Sequence, residues 1–369
     1  MKKFLSNTKK YVPLFSIITF ALFLISIILH LIIVNNVAFA DFFNYNLSAP
    51  TRAFMSYLTV IFPFSVAEIV VFASPIILGL LIFIAIKCGK KGKTSSIRYL
   101  LVLLSVVLLI FILFVWTYSS GYHTSRVEDK MGLDRSGIGA EDIYNTTKIF
   151  IDELNLLAPD IEYDSSGASV MPYSYTEMSE KICTAYERFT EKHDILRTYY
   201  SRIKPLIISE PMTYSHLSGI YTFMSGEANV NVNYPDFIVA STSAHEMAHQ
   251  RGIAREDEAN FISFAVLLES DDPFLKYSAY LDIFSNISNA LYGEDKELYS
   301  QLMAGLDGRV VKDMISYSKF FEKYADSRVS EVVDSVNDSY LQANGQEMGT
   351  KSYEMVTEIV CAYLLNKTK

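Results

Sequence analysis

Cysteine is scarce in this 369-residue chain, which contains only Cys88, Cys183 and Cys361. Three cysteines are too few for a disulfide scaffold. None of them lies near the histidine pair described below, so we do not expect a zinc site built from thiolates. Cys183 and Cys361 both fall on helical patterns and could pair, but we expect two buried free thiols.

Basic residues are in short supply beyond position 100. The whole chain has 32 Lys and Arg residues against 41 Asp and Glu residues. Ten of the basic and two of the acidic residues lie in the first hundred positions, which leaves 22 minus 39, a net charge of −17, for the remainder. Because phosphate binding requires a basic face, no nucleic-acid partner is expected.

Apolar residues are concentrated at the start of the chain. Three segments, about 12–34, 69–86 and 99–118, are apolar over roughly the 20 residues that cross a bilayer. The sequence AFA at 38–40 resembles a signal-peptide cleavage site, but the first apolar segment is longer than a signal-peptide core. We therefore expect an uncleaved anchor in contact with lipid.

The charges around these segments predict their orientation. Arg52 is the only basic residue between the first two spans. In contrast, several basic residues precede the first span and several lie between the second and the third. These residues are Lys2, Lys3, Lys9 and Lys10, then Lys87, Lys90, Lys91, Lys93 and Arg98. By the positive-inside rule the N-terminus is cytoplasmic. Three crossings then predict a multi-pass protein of the cytoplasmic membrane with residues 119–369 outside the cytoplasm.

The organisation predicted from these patterns is a membrane-anchored α+β protein. Residues 1–118 form the anchor, 119–140 a juxtamembrane linker rich in Ser, Gly and charge, and 141–369 an extracytoplasmic domain. Most of that domain has helical periodicity, beginning with a helix over 141–157. Ser174 with Glu177 forms a capping-box pattern ahead of the next helix.

Three short segments predict a small sheet within this helical domain. Residues 205–209, 219–223 and 228–232 are β-branched or alternating and are bounded by Pro or Gly. The last, ANVNV, alternates apolar and amide side chains, which is typical of an edge strand. Asn229, Val230 and Asn231 could then pair with an extended substrate peptide, or form an ordinary structural edge.

The stretch HEMAHQRGIAREDEAN at 245–260 carries the strongest chemical signal. On a helix, His245 and His249 lie on one face about one turn apart, where two imidazoles can chelate a metal. A catalytic zinc ion usually has three protein ligands. Glu246, at the edge of that face, is placed to accept a proton from water as the general base. We expect one Zn²⁺ per chain.

The motif also predicts the limits of its helix and a third ligand. Residues 241–243 offer hydroxyl N-caps, and Gly252 is a helix terminator. Two acidic residues on the following helix, Glu256 and Glu258, are both candidates for the third ligand. Tyr214, His216 and Tyr221 are weaker candidates for donors to a transition-state oxyanion.

The spacing after the histidines resembles the gluzincin metallopeptidases, in particular the CAAX prenyl protease and its bacterial heat-shock relatives. In those enzymes a Glu is the third ligand, and an Asp four residues later supports a zinc-bound histidine. The resemblance implies Glu256 as the ligand, with Glu258 as the alternate, and places Asn260 at the Asp position. A neutral amide there accepts an imidazole N–H bond but supplies no negative charge.

Most of the chain resembles a bacterial family of uncharacterised membrane proteins within the zincin-like superfamily. Its members combine a multi-span anchor, a GEANVN-like segment and an HExxHxxG helix followed by EDEAN, which match residues 226–231 and 245–260. The resemblance implies a zincin-like (gluzincin) domain. Together with the histidine motif and the predicted topology, it leads us to expect a zinc metallopeptidase, a hydrolase acting on a peptide or protein substrate in the cell envelope. The alternative is a zinc-binding, non-catalytic envelope module.

Overall fold

The computed structural model describes residues 11–325, 327–344, 346 and 356–366. The basic cluster predicted before the first span, residues 2–10, lies outside the described residues. The same holds for 353–355, the first residues of a helix that the apolar periodicity predicts over 353–365.

The described part of the chain is mostly helical. Its helices, in order, are α1 (Leu14–Asn35), α2 (Val37–Phe43), α3 (Ala49–Thr59), α4 (Val66–Lys91), α5 (Lys93–Thr117), α6 (Val127–Lys130), α7 (Ala140–Leu157), α8 (Tyr175–Lys192), α9 (Ser209–Thr213), α10 (Asp236–Arg251), α11 (Glu256–Leu268), α12 (Pro273–Glu294), α13 (Lys296–Met303), α14 (Gly308–Glu322), α15 (Arg328–Ala343) and α16 (Val356–Leu364). A π-helical turn, Asn44–Ser48, joins α2 to α3.

Three of these helices, α1, α4 and α5, are long and apolar enough to cross a membrane. α1 coincides with its predicted segment to within two residues, α4 and α5 begin three and six residues before theirs, and α4 continues through Pro75. Most of their large apolar side chains are exposed on the surface of the chain, as expected of helices that face lipid rather than a protein core. The three helices are therefore compatible with a membrane protein.

The segment predicted as a linker does not form an exposed connector throughout its length. A 3₁₀ turn, Ser119–Tyr122, is buried directly after α5. A Cβ at Gly121 would lie 2.7 Å from the carbonyl oxygen of Gly252, so this glycine allows close packing against the end of α10. The small residues here serve contact rather than flexibility, and the prediction of a linker is wrong for this part of 119–140.

Two small sheets interrupt the helices. Their strands are β1 (Glu162–Tyr163), β2 (Ser169–Val170), β3 (Lys204–Pro205), β4 (Gly219–Thr222) and β5 (Glu227–Val230). β1 and β2 pair antiparallel. In the second sheet the order is β3-β5-β4, with β5 parallel to β3 and antiparallel to β4.

The predicted edge strand is thus an interior strand, and the substrate role assigned to Asn229, Val230 and Asn231 is wrong. All three residues are buried. The Asn229 amide donates to the Ile220 carbonyl, and the Asn231 amide donates to the Leu217 carbonyl. The amide groups that suggested a solvated face therefore bind backbone within the fold.

Two other predicted boundaries are also wrong. Helix α10 begins at Asp236 after Pro235, so the hydroxyl residues at 241–243 lie inside it rather than at its start. Ser243, for example, donates to the carbonyl of Val239 one turn earlier, which satisfies its hydroxyl within the helix. In the segment predicted as a strand at 205–209, only the first residue belongs to a strand, and α9 begins at the last. The predicted helix at 141–157 and the Ser174 cap are confirmed.

The core of the domain surrounds α10. Helices α11 and α12 pack against it, and α7 and α8 pack against those two helices in turn. Aromatic side chains fill the contact, with Phe150 of α7 stacked on Phe264 of α11 at 5.5 Å between ring centroids. Cys183 and Cys361 are both buried and are not joined by a disulfide. Helix α10 is therefore held on several sides at once, which fixes the residues it carries.

Arg52, on α3, joins the apolar helices to α10. Its guanidinium is fully buried and donates to the carbonyl of Thr117, at 2.6 Å, and to that of Arg251, at 3.1 Å. These carbonyls lie at the C-terminal ends of α5 and α10, where a cation is favoured by the helix dipole. One side chain thus provides hydrogen-bond donors for C-terminal carbonyls of two helices, an apolar helix and the helix that carries the histidines.

Replacement of Arg52 by Met is expected to lower the free energy of unfolding by about 3 kcal/mol, because buried carbonyls would lose charged donors. Denaturant unfolding of the full-length protein in detergent measures this change. Lys319→Met, which removes an exposed cation on α14, is the control and should leave stability unchanged. Equal stability of the two variants would contradict the role given to Arg52.

Candidate metal centre

Two histidines and one glutamate converge at the junction of α10 and α11. His245 and His249 lie one turn apart on α10, with ring centroids separated by 4.6 Å. Glu256 is the first residue of α11, and its Oε2 lies 3.2 Å from Nε2 of His245 and 3.3 Å from Nε2 of His249. One potential ligand atom from each residue therefore faces a common point.

The turn between the helices makes this convergence possible. Gly252 ends α10 in the left-handed region at φ 100°, a conformation that costs glycine little. A Cβ at this position would collide with the Arg52 guanidinium. Glycine is thus required both by the backbone angle and by the side chain beneath it, and the turn it forms brings Glu256 back onto the histidines.

The spacing of the three groups fits a zinc ion. With zinc–ligand bonds of about 2.0–2.1 Å, the edges of a coordination tetrahedron are about 3.3 Å long. The two measured nitrogen–oxygen separations equal such edges, and the ligand atoms of His245, His249 and Glu256 all lie within 4.8 Å of one another. Two imidazoles and a carboxylate are also a ligand set found at catalytic zinc sites.

A hydrogen bond orients the second histidine. Nδ1 of His249 lies 2.7 Å from the carbonyl oxygen of Ile253, which only accepts, so Nδ1 carries a proton and donates it there. This leaves Nε2 to face Glu256 and to bind a metal. The Tyr118 hydroxyl lies 3.1 Å from the same Nδ1. A backbone carbonyl thus supplies the support that the sequence assigned to Asn260.

Asn260 lines the cavity beside His245, but its side chain forms no hydrogen bond to either histidine within the described part of the chain. The position predicted as a supporting residue therefore contributes to the cavity wall instead. Asp282 of α12 lies close enough to His245 to interact with it electrostatically, but burial outweighs this contact and raises the pKa of Asp282.

The charges of the three groups depend strongly on one another. Burial tends to raise the pKa of Glu256, but His249 and His245 outweigh it and hold that pKa well below its ordinary value. Burial tends to lower the pKa of His249, but the Glu256 carboxylate outweighs it and raises the pKa to about 9. A metal that binds here must displace a proton from His249, so binding is coupled to proton release.

Glu258, the alternate third ligand, belongs to a separate cluster. Its Oε1 accepts from Arg255 at 2.8 Å and lies 3.3 Å from Nη1 of Arg126. The same oxygen accepts from the backbone N–H of Val127. Its carboxylate is buried among these donors rather than beside the histidines, so the geometry favours Glu256 as the third ligand.

Glu246 is buried next to the histidine pair with one oxygen unsatisfied. The residue is 5% exposed, and its Oε2 has no hydrogen-bond partner. A Cβ at Gly219 of β4 would lie 2.6 Å from its Oε1, so this glycine leaves the room that the carboxylate occupies. Burial raises the pKa of Glu246 to about 7. A carboxylate with that pKa can both accept and return a proton near neutral pH.

A cavity of about 420 Å³ opens onto these groups. His245 and Glu246 form one side, β4 contributes Gly219, and α15 contributes Asp334 and Asn337 from across the opening. Asp282, held by a hydrogen bond from Ser241, also lines it. Sequence reasoning missed Asp282, and the only signal for it was an acidic residue within the apolar pattern of α12.

The three predicted oxyanion donors are not brought together. His216 lines the cavity at φ 57°, but its Nε2 donates to the Tyr324 carbonyl at 2.9 Å. The Tyr221 ring packs against Tyr118, with centroids 5.3 Å apart, and does not line the cavity. Tyr214 lies outside the cavity, against the Tyr324 ring. Of the three, His216 alone borders the candidate site.

Comparison with known proteins yields one family. A family model described as a protein of unknown function (DUF3810) matches residues 43–361. The matched region begins in α2 and includes α4, α5 and the whole histidine site. Neither the curated proteins nor the solved structures contain a match.

Replacement of Glu256 by Gln is expected to weaken zinc binding by at least about 100-fold, because a direct ligand should matter at least as much as an outer-shell partner. Chelator competition on the purified full-length protein measures the affinity. Glu258→Gln is the matched control and should retain one zinc ion per chain. Loss of zinc in the control, with retention in Glu256→Gln, would reassign the third ligand.

Proposed function

The chain belongs to the DUF3810 family of proteins of unknown function, and from its site we propose that it is a membrane-anchored zinc metallopeptidase. The observation that carries this proposal is the convergence of His245, His249 and Glu256 beside the buried, unsatisfied carboxylate of Glu246. In this assignment the domain is of the zincin-like, gluzincin type, and the substrate is a peptide or protein of the cell envelope.

The chain's own residues supply the proton transfers. A zinc ion, when bound, would polarise the scissile carbonyl and activate water. Glu246 accepts a proton from the attacking water and then donates it to the leaving amine, for which its pKa of about 7 is well matched. The Ile253 carbonyl holds His249 in the tautomer that leaves Nε2 for the metal.

Strand β4 offers a binding site for an extended substrate. Within the described residues it is paired only with β5, so no strand covers its other edge. That edge lies beside the catalytic groups, since Gly219 abuts Glu246 and the backbone N–H of Tyr221 is hydrogen-bonded to the Glu246 carboxylate. A peptide added along β4 as a further strand would carry its backbone past Glu246.

We propose that this activity lies at the outer face of the cytoplasmic membrane. The ends of α4 and α5 that adjoin the domain are Val66 and Thr117, and the basic residues of the 87–98 segment lie at their opposite ends. The positive-inside rule assigns the basic ends to the cytoplasm. The domain and its metal centre are then extracytoplasmic.

Glu246→Gln is expected to retain stoichiometric zinc while hydrolysis of a mixed-sequence peptide pool falls at least about 100-fold, because the general base is lost but the ligands remain. Mass spectrometry of the pool measures cleavage. Glu187→Gln, at an exposed position of α8, should leave it unchanged. Undiminished hydrolysis in Glu246→Gln would refute the mechanism. If the unmodified protein bound zinc but hydrolysed no peptide, the result would instead favour a non-catalytic zinc module.

Gly219→Ala is expected to lower kcat/KM about 100-fold, because the new methyl group displaces a carboxylate that must be positioned to within about 1 Å. The control is Gly293→Ala in α12, where a Cβ meets no atom within 4 Å. Zinc content should be unchanged in both variants. Full activity in Gly219→Ala would show that Glu246 does not act from this position.

A further inference from the structure

The metal centre lies close to the end of an apolar helix. Tyr118 directly follows α5, and its hydroxyl lies 3.1 Å from Nδ1 of His249. A single tyrosine side chain therefore bridges the distance between the end of a membrane-spanning helix and a residue of the candidate metal centre. The site is held at the level where α5 leaves the bilayer.

This placement is rigid. Arg52 binds the terminal carbonyls of both α5 and α10. Gly121 packs against the backbone of Gly252, with no space for a side chain between them. These contacts are buried, and they supply the hydrogen-bond donors of the terminal carbonyls. If the domain moved away from the end of α5, those carbonyls would be left buried and unpaired. The height of the site above the bilayer is therefore fixed.

Strand β4 runs from the catalytic carboxylate towards the membrane helix. Its first residue, Gly219, abuts Glu246. Phe223, which follows the strand, packs on Phe114 within the last turn of α5, with ring centroids 5.6 Å apart. Four steps of about 3.3 Å give about 13 Å between these ends. A peptide paired with β4 would thus extend from the site of cleavage to the bilayer surface.

The rim beside this strand is apolar. Met224, which directly follows Phe223, is 49% exposed at the level of the α5 contact, and Ile220, about 10 Å back along the strand towards Gly219, is 46% exposed. Apolar side chains at this level are suited to the boundary between lipid and water, and to the apolar residues that flank a membrane span.

From this arrangement we propose that the substrate is the extracytoplasmic stem of a membrane-anchored polypeptide, cut within about five residues of the bilayer, since β4 spans only about 13 Å. This inference rests on the proposed peptidase activity. It adds that the scissile peptide bond is selected by its distance from the membrane surface. The part of the substrate between that bond and its membrane anchor pairs with β4, between Glu246 and α5.

The test uses the full-length protein reconstituted in liposomes with a synthetic substrate. The substrate has one transmembrane helix followed by several identical copies of a short mixed sequence, so that chemistry is constant and only height varies. The same copies without the anchor form a soluble arm, and Glu246→Gln protein provides the background. Mass spectrometry locates the cuts.

Cuts confined to the copies nearest the bilayer, at a rate about tenfold or more above the soluble arm, are expected, because tethering raises the effective concentration only where geometry permits. Cuts spread evenly over all copies, or confined to the soluble arm, would overturn the inference and leave the peptidase assignment intact. Absence of any cut above background in both arms would contradict the proposed function, and this inference with it.

A variant of the rim distinguishes an effect on cleavage near the membrane from an effect on peptidase activity in general. Met224→Asp should reduce cleavage of the anchored substrate about tenfold, while cleavage of the soluble arm is retained, because a charge at the lipid boundary is unfavourable. Leu156→Asp, at an exposed apolar position of α7, is the control and should affect neither arm. Equal cleavage of the anchored substrate by both variants would contradict the role given to the rim.

Discussion

The turn at Gly252 is the constraint on which the candidate site depends. Its left-handed backbone reverses the chain between α10 and α11 and places Glu256 against His245 and His249. The absence of a side chain makes room for Arg52, which binds the ends of α10 and α5 together. One turn therefore fixes both the geometry of the three side chains and the position of the candidate site relative to the apolar helices.

The buried charges around this turn are arranged for different purposes. Glu258 is surrounded by arginine donors and has a structural environment. The Glu256 carboxylate is stabilised by two imidazoles. A metal cation could take over the role of stabilising its negative charge. Glu246 retains an unsatisfied oxygen, a costly state for a buried carboxylate. Of these three acids, Glu246 alone carries the unmet interaction that a substrate or water molecule would satisfy.

Local periodicity was sufficient to predict the apolar helices, most domain helices and the approach of His245 to His249, because each depends on residues one turn apart. It was insufficient where distant segments meet. The interior position of β5 depends on strands on both sides, and the contacts of Tyr118 and Asp282 with the histidine region join residues more than 30 positions apart. The resemblance to gluzincins selected Glu256, and the distances to both histidines agree with that choice.

X-ray absorption at the zinc edge of the purified full-length protein tests the central claim most directly. The account predicts one zinc ion with two imidazole nitrogens and a carboxylate oxygen at about 2.0–2.2 Å. The imidazole contribution should decrease when His249 is replaced by Ala. A sulfur shell at about 2.3 Å, or a spectrum unchanged by that replacement, would contradict it.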